Sequence, residues 1–176
     1  EFLERLQAAN GGTIEDARQA VLAGLGGIAI GRAAEPHEVA DLIAFLDHLT
    51  RAASDAEFAL GVYTVLKPAL IAAYHDYLAR ADELNDAPSI YQISHILMDE
   101  EEQLAAIAPV LAGLPPDEVA AAQPWVDHLQ AHLAAIGGLA GDGPRGEVPA
   151  TPGYADRPPY NVPARAVRDP RFSPAV

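Results

Sequence analysis

Between Tyr74 and Gln103 the chain reads YHDYLARADELNDAPSIYQISHILMDEEEQ, which is the end of one helix, a turn through Asp86-Ala87-Pro88, and a second helix. Two helices joined this closely, each with an apolar stripe, must bury those stripes against other helices. Ser89 with Gln92 forms a capping-box pattern, and Pro88 suits a first turn. Ile90, Ile93, Leu97, Leu104, Ile107 and Leu111 then recur at steps of three and four once one position is filled in. That position is Glu100. A carboxylate on such a stripe has to be paired, hydrogen-bonded, protonated or metal-bound, because an unpaired buried charge is too costly. Gln103 lies three residues on, on the same side of the helix. A core-edge carboxylate bonded to a neighbouring Tyr, His or Arg is the plainer reading of Glu100. Asp99, Glu101 and Glu102 are expected to be solvated.

Half of the 176 residues are hydrophobic, mostly Ala and Leu, which favours helices over sheets. The absence of cysteine excludes disulfides, thiolate metal sites and a cysteine nucleophile. A net charge of −14 argues against non-specific nucleic-acid binding. Residues 1–136 carry most of the acidic side chains, whereas residues 137–176 are faintly basic. No uninterrupted apolar run reaches the length of a membrane span, and no signal peptide is evident. The chain does not begin with Met, and Glu1–Ala9 reads as helix without a cap. The expectation is a chain that starts inside a longer protein, with a further bundle helix ahead of it.

Phe2, Leu3 and Leu6 sit at helical spacing before Asn10-Gly11-Gly12. Thr13 and Asp16 open a second helix, which carries Ile14, Ala17, Val21 and Leu22 and runs into Gly24, Gly26, Gly27 and Gly31. These glycines do not match a dinucleotide loop and read as close helix packing. Glu35-Pro36-His37-Glu38 is a helix start. From there Leu42, Leu46, Leu49, Ala53, Ala56, Leu60, Tyr63, Leu70, Tyr74 and Tyr77 predict one long bundle helix. Phe58–Ala73 is apolar on nearly every face and is expected to be the most buried segment. Pro68 must kink or divide it. His48 and Asp55 lie seven apart along one flank, as supporting groups around a site or as a solvated edge.

Gly113-Leu114-Pro115-Pro116 breaks the pattern. Asp117–Ala122 reads as a short helical piece, and Pro124 opens a helix carrying Trp125, Leu129, Leu133 and Ile136, closed by Gly137-Gly138. His128 and His132 are four apart on that helix, a spacing that binds zinc when a carboxylate approaches. The metalloprotease motif is absent, since no Glu follows the first His, and ordinary edge histidines beside a Trp stripe are the alternative. Residues 137–176 hold 8 Pro and 6 Gly and cannot form a long helix. Tyr154, Tyr160, Val162, Val167 and Phe172 are spaced apolar anchors, which favours a strap docked on the bundle or on a neighbouring subunit.

The runs FALGVYTVLKPALIAAYHDYL and ADELNDAPSIYQISHILMDEEEQ resemble the last two bundle helices of a ferritin-like protein, over roughly residues 35–111. Four-helix di-iron carboxylate proteins hold metal with inward Glu-x-x-His motifs. The resemblance implies that Glu100 is the second-motif carboxylate and Glu57 a ligand opposite it. Gln103 stands where the His is expected; it keeps an oxygen donor and loses the imidazole nitrogen. For Glu57 the alternative is a surface carboxylate.

The fold expectation is therefore all-α: an antiparallel ferritin-like bundle over residues 1–136 and an irregular C-terminal strap over 137–176. The leading functional expectation is a structural or interaction unit with a degenerate or weak metal site at Glu57, Glu100 and Gln103. It would be cytoplasmic, would assemble as a homo-oligomer or protein complex, and would bind neither nucleic acid nor membrane. It would carry no cofactor, or iron. The rival is a non-haem di-iron or di-manganese oxidoreductase or iron-handling protein. A third class is a small-molecule module using Tyr63, Tyr74, Tyr77 and Tyr91.

Overall fold

The computed structural model describes residues 4–5, 7–8, 11–24, 35–150, 153–154 and 156–161. Within them lie α1 (Ile14–Gly24), α2 (Pro36–Leu49), α3 (Asp55–Leu60), α4 (Lys67–Arg80), α5 (Ala87–Ala112) and α6 (Pro116–Ala135). The described residues contain no strand, so the chain is all-α. Phe2, Leu3, Leu6, Gly26, Gly27, Gly31, Val162, Val167 and Phe172 lie outside the described residues.

Local chemistry sets the helix ends. At α1, Asp16 accepts from the Thr13 backbone N–H (2.6 Å), and the Thr13 hydroxyl accepts from that of Asp16 (3.1 Å). Glu35 and Glu38 form a capping box at α2, where the Glu35 N–H donates to Glu38 at 2.7 Å. The predicted single helix from residue 36 to Tyr77 is interrupted: α2 stops at Leu49, and Ser54 caps α3 by accepting the Glu57 N–H. Gly137 and Gly138, at φ 85° and 80°, close α6 as the sequence suggested. Two expected boundaries move. α5 opens at Ala87 after Asp86 rather than at Ser89. Pro124 lies inside α6, which is one helix from Pro116 instead of two.

Pro68 does not divide its helix. A π-helical turn, Gly61–Leu66, joins α3 to α4, and the Lys67 N–H donates to the Val62 carbonyl five residues back. The helix thus runs over Asp55–Arg80, 26 residues, and is by length and composition able to cross a membrane. No uninterrupted apolar run signalled this, because Lys67 and Pro68 break the stretch in the sequence. In the fold it packs on α6 through α3 and the π-turn, and on α5 through α4. Gly61 makes the first contact close: a Cβ there would sit 2.9 Å from Leu129, 3.2 Å from Leu49 and 3.3 Å from Trp125.

The core is built between α2, α3, the π-turn and α6, from Phe45, Leu49, Ala52, Val65, Trp125, Val126, Leu129, Leu133 and Ile136. Phe58–Ala73 is not the most buried segment, since only Gly61 and Val65 within it are buried. The reason is positional: α4 and α5 pack on each other across the turn of residues 81–86, beyond that core. α4 has no fully buried residue, and α5 has only Leu97. The predicted α5 stripe faces α4 but, apart from Leu97, stays half-buried.

Residues after α6 lie against these helices. Arg145 pairs with Asp41 of α2 and donates to the Ile136 carbonyl at 2.8 Å. Arg157 pairs with Glu57 at 2.8 Å. The Tyr160 N–H donates to the Thr50 carbonyl (2.6 Å), and its hydroxyl donates to Asp55 (2.6 Å).

Candidate metal centre

α2 meets α6 through Phe45 and Leu49 on one side and Trp125, Leu129 and Leu133 on the other. His48 stands three residues after Phe45 and therefore on the same buried face of its helix. His128 and His132 flank Trp125 and Leu129 in the same way. Packing the two apolar faces brings the three imidazoles together, with ring centroids 5.2 Å apart for His48–His128, 5.4 Å for His48–His132 and 6.1 Å for His128–His132. One ring nitrogen from each lies within 4.8 Å of those of the other two.

His48 and His132 are buried, and His128 is half-buried with its Nε2 shut away from solvent. His48 Nδ1 and His132 Nδ1 share one hydrogen bond of 3.3 Å, whose direction depends on the tautomers. Among the described residues, His48 Nε2, His128 Nε2 and Trp125 Nε1 are the buried side-chain polar atoms with no partner. An unmade bond of this kind costs about 1–3 kcal/mol.

All three histidines titrate below the ordinary imidazole value. Burial is the main cause for each. The Arg51 charge adds to it at His48, and Asp47 opposes it. The charges of the other two histidines add to it at His128. At His132 the His48 charge adds to it and Asp41 opposes it. The rings are therefore neutral at neutral pH, the state in which imidazole donates a lone pair to a metal.

The cluster has one covered side and one open side. Tyr154 lies against His128 (4.9 Å) and Trp125 (5.1 Å). The Arg157 guanidinium rests over Tyr154 at 4.6 Å and Trp125 at 5.5 Å. On the other side a cleft of about 320 Å³, lined by Asp41, Ala44, Asp47, His48, Arg51, His132, Val148 and Pro149, reaches the rings.

A tetrahedral zinc ion with Zn–N near 2.0–2.1 Å needs ligand nitrogens about 3.3 Å apart. The His48–His132 Nδ1 pair already stands at that separation. Three imidazoles without thiolate suit zinc, copper, nickel or iron rather than magnesium or calcium.

The carboxylate residues singled out in the sequence have other partners. Glu100 pairs with the Lys67 ammonium, which also donates to Gln103 Oε1 at 2.8 Å. A lysine thus stands where a cation would sit between Glu100 and Gln103. Glu57 is buried rather than on the surface, and accepts from the Ala53 N–H (2.6 Å) and from Arg157 (2.8 Å). Among the described residues no hydrogen bond or ion pair joins Glu57 to Glu100. Asp99, Glu101 and Glu102 are exposed as expected, with Glu101 beside His75 at 3.2 Å. Asp55 accepts from Tyr160 and does not support His48. Tyr63, Tyr74 and Tyr77 are half-buried, Tyr91 is exposed against His95, and none of the four lines the cleft.

No protein-family model, curated protein or solved structure matches the chain.

Proposed function

We infer that the protein is a helical metal-binding protein whose centre is His48, His128 and His132, and that it takes one borderline divalent ion such as zinc. The observation that carries this is the buried convergence of three neutral imidazoles, one ring nitrogen of each within 4.8 Å of those of the other two. An ion held by His48 Nδ1 and His132 Nδ1 would take the place of their mutual hydrogen bond, with a ring nitrogen of His128 as the third ligand. Equilibrium dialysis against zinc is the test. The expected result is one equivalent per chain, lost in His128→Ala. A wild-type chain that retains no more zinc than that variant overturns the reading.

A second reading is favoured by the α4–α5 hairpin. Its apolar stripe is half-buried, and Tyr91, Ile96, Met98 and Val110 of α5 are exposed. On this reading the hairpin completes an antiparallel ferritin-like bundle with a second copy, as a structural or interaction unit. The described residues after α6 act as the strap, a role supported by the contacts of Arg145, Tyr154, Arg157 and Tyr160. Sedimentation tests it: a chain that stays monomeric at high micromolar concentration contradicts this assembly. The two readings are compatible, because hairpin and metal centre occupy different parts of the fold.

A further inference from the structure

We propose that the three-histidine centre is an open site, with a fourth coordination position that faces the cleft and takes a small monodentate anion or an ionised water. This rests on the metal reading above and adds the class of ligand. His48 and His132 are both in the cleft wall, whereas His128 approaches from behind, under Tyr154 and Trp125. An ion held by the three therefore has its remaining face toward the cleft. Structural zinc sites are closed by four protein ligands, and a three-ligand site leaves room for an exogenous one.

Two carboxylates line the same cleft, and both are tied elsewhere. Asp47 Oδ2 accepts from Arg51 Nε (3.0 Å) and Nη2 (2.9 Å), and Arg51 is itself fixed by donating to the Arg157 carbonyl at 2.8 Å. Asp41 is paired with Arg145, which is anchored on the Ile136 carbonyl. Each carboxylate charge is matched by a guanidinium, so the field at the inner end of the cleft is set by the ion. Three neutral imidazoles leave its double charge uncompensated, which favours an anion or a water that has lost a proton. The cleft of about 320 Å³ has room for a small anion and its hydration.

Cobalt(II) tests this, because its visible absorption reports its coordination shell. The full chain is loaded with one equivalent of cobalt and titrated with azide. The expected result is a saturable change in the visible bands at one azide per cobalt. Asp41→Asn and Asp47→Asn should show the same azide-free spectrum as wild type. Bands that azide does not move, or an azide-free spectrum altered in either variant, mean that a protein group fills the fourth position. Either result overturns the proposal and leaves the metal centre standing. A wild-type chain that takes up no cobalt overturns both.

Discussion

Arg157→Ala removes one ion pair and two ring contacts at the place where the residues after α6 meet the core. The ion pair joins side chains that are 27% (Arg157) and 11% (Glu57) exposed, so solvent screens it only in part. A hydrogen bond to a charged group contributes about 1.5–3 kcal/mol, and the lower end applies to a partly exposed arginine. Guanidinium–ring contacts with Tyr154 and Trp125 add about 0.5–1 kcal/mol each. Glu57 keeps one partner, the Ala53 N–H. The sum is a loss of about 2.5–3.5 kcal/mol, or a fall in Tm of roughly 5–14 °C for a chain of this size. Urea denaturation followed by tryptophan fluorescence measures it where it happens, because Trp125 is the single tryptophan. Glu57→Gln should cost less, since glutamine still accepts from both partners. A double-mutant cycle should return a coupling of about 1 kcal/mol or more. An Arg157→Ala chain within about 0.5 kcal/mol of wild type, with unaltered tryptophan emission, would refute the docking of Tyr154 and Arg157 on Trp125.

Gly61→Ala should destabilise by about 1–2 kcal/mol, because overpacking against Leu129, Leu49 and Trp125 exceeds the helix-propensity gain; a stabilised variant in the same urea assay contradicts the close approach. The metal-free protein should lose stability as pH falls below about 6.5. Each of the three histidines has a folded pKa below its unfolded value of 6.5, so the unfolded chain binds more protons in that range; their contribution is complete above it and lost toward the lower folded pKa values. Urea midpoints at pH 5.0 and 7.5 check this, with a smaller difference expected in His128→Ala; an equal difference in that variant would contradict it. Glu100→Ala and Gln103→Ala should leave zinc uptake at the wild-type value in dialysis, since Lys67 is their partner.

Much of the fold is legible in the sequence. Thr13, Glu35-Pro36 and the paired glycines after Ile136 mark helix ends through local chemistry, and Trp125, Leu129, Leu133 and Ile136 form a buried stripe as their spacing requires. The candidate centre was only half legible. His128 and His132 stand at ligand spacing on one helix, but His48 is some eighty residues away, and only the packing of α2 on α6 brings it near. The reading of α2 was also turned by one position. Leu42, Leu46 and Leu49 fit a three-four recurrence, yet Leu46 is 39% exposed and Phe45 is fully buried. With Phe45, Leu49 and Ala52 taken as the face, His48 falls inside it, and a histidine among buried positions was the signal available. The interruption at residues 50–54 was hidden because Ala53 and Ala56 continue the apolar recurrence across it. Lys67 interrupts the apolar run of its helix, and its long side chain reaches Glu100 from the neighbouring helix. Sequence spacing along one helix carries no information about such a partner.

Anomalous diffraction at the zinc absorption edge, from crystals of the full chain grown with zinc, tests the central claim most directly. The account predicts one strong peak enclosed by His48, His128 and His132, with bonds near 2.0–2.1 Å to one nitrogen of each. A peak at Glu100 and Gln103 instead, or none among the three histidines, would contradict it.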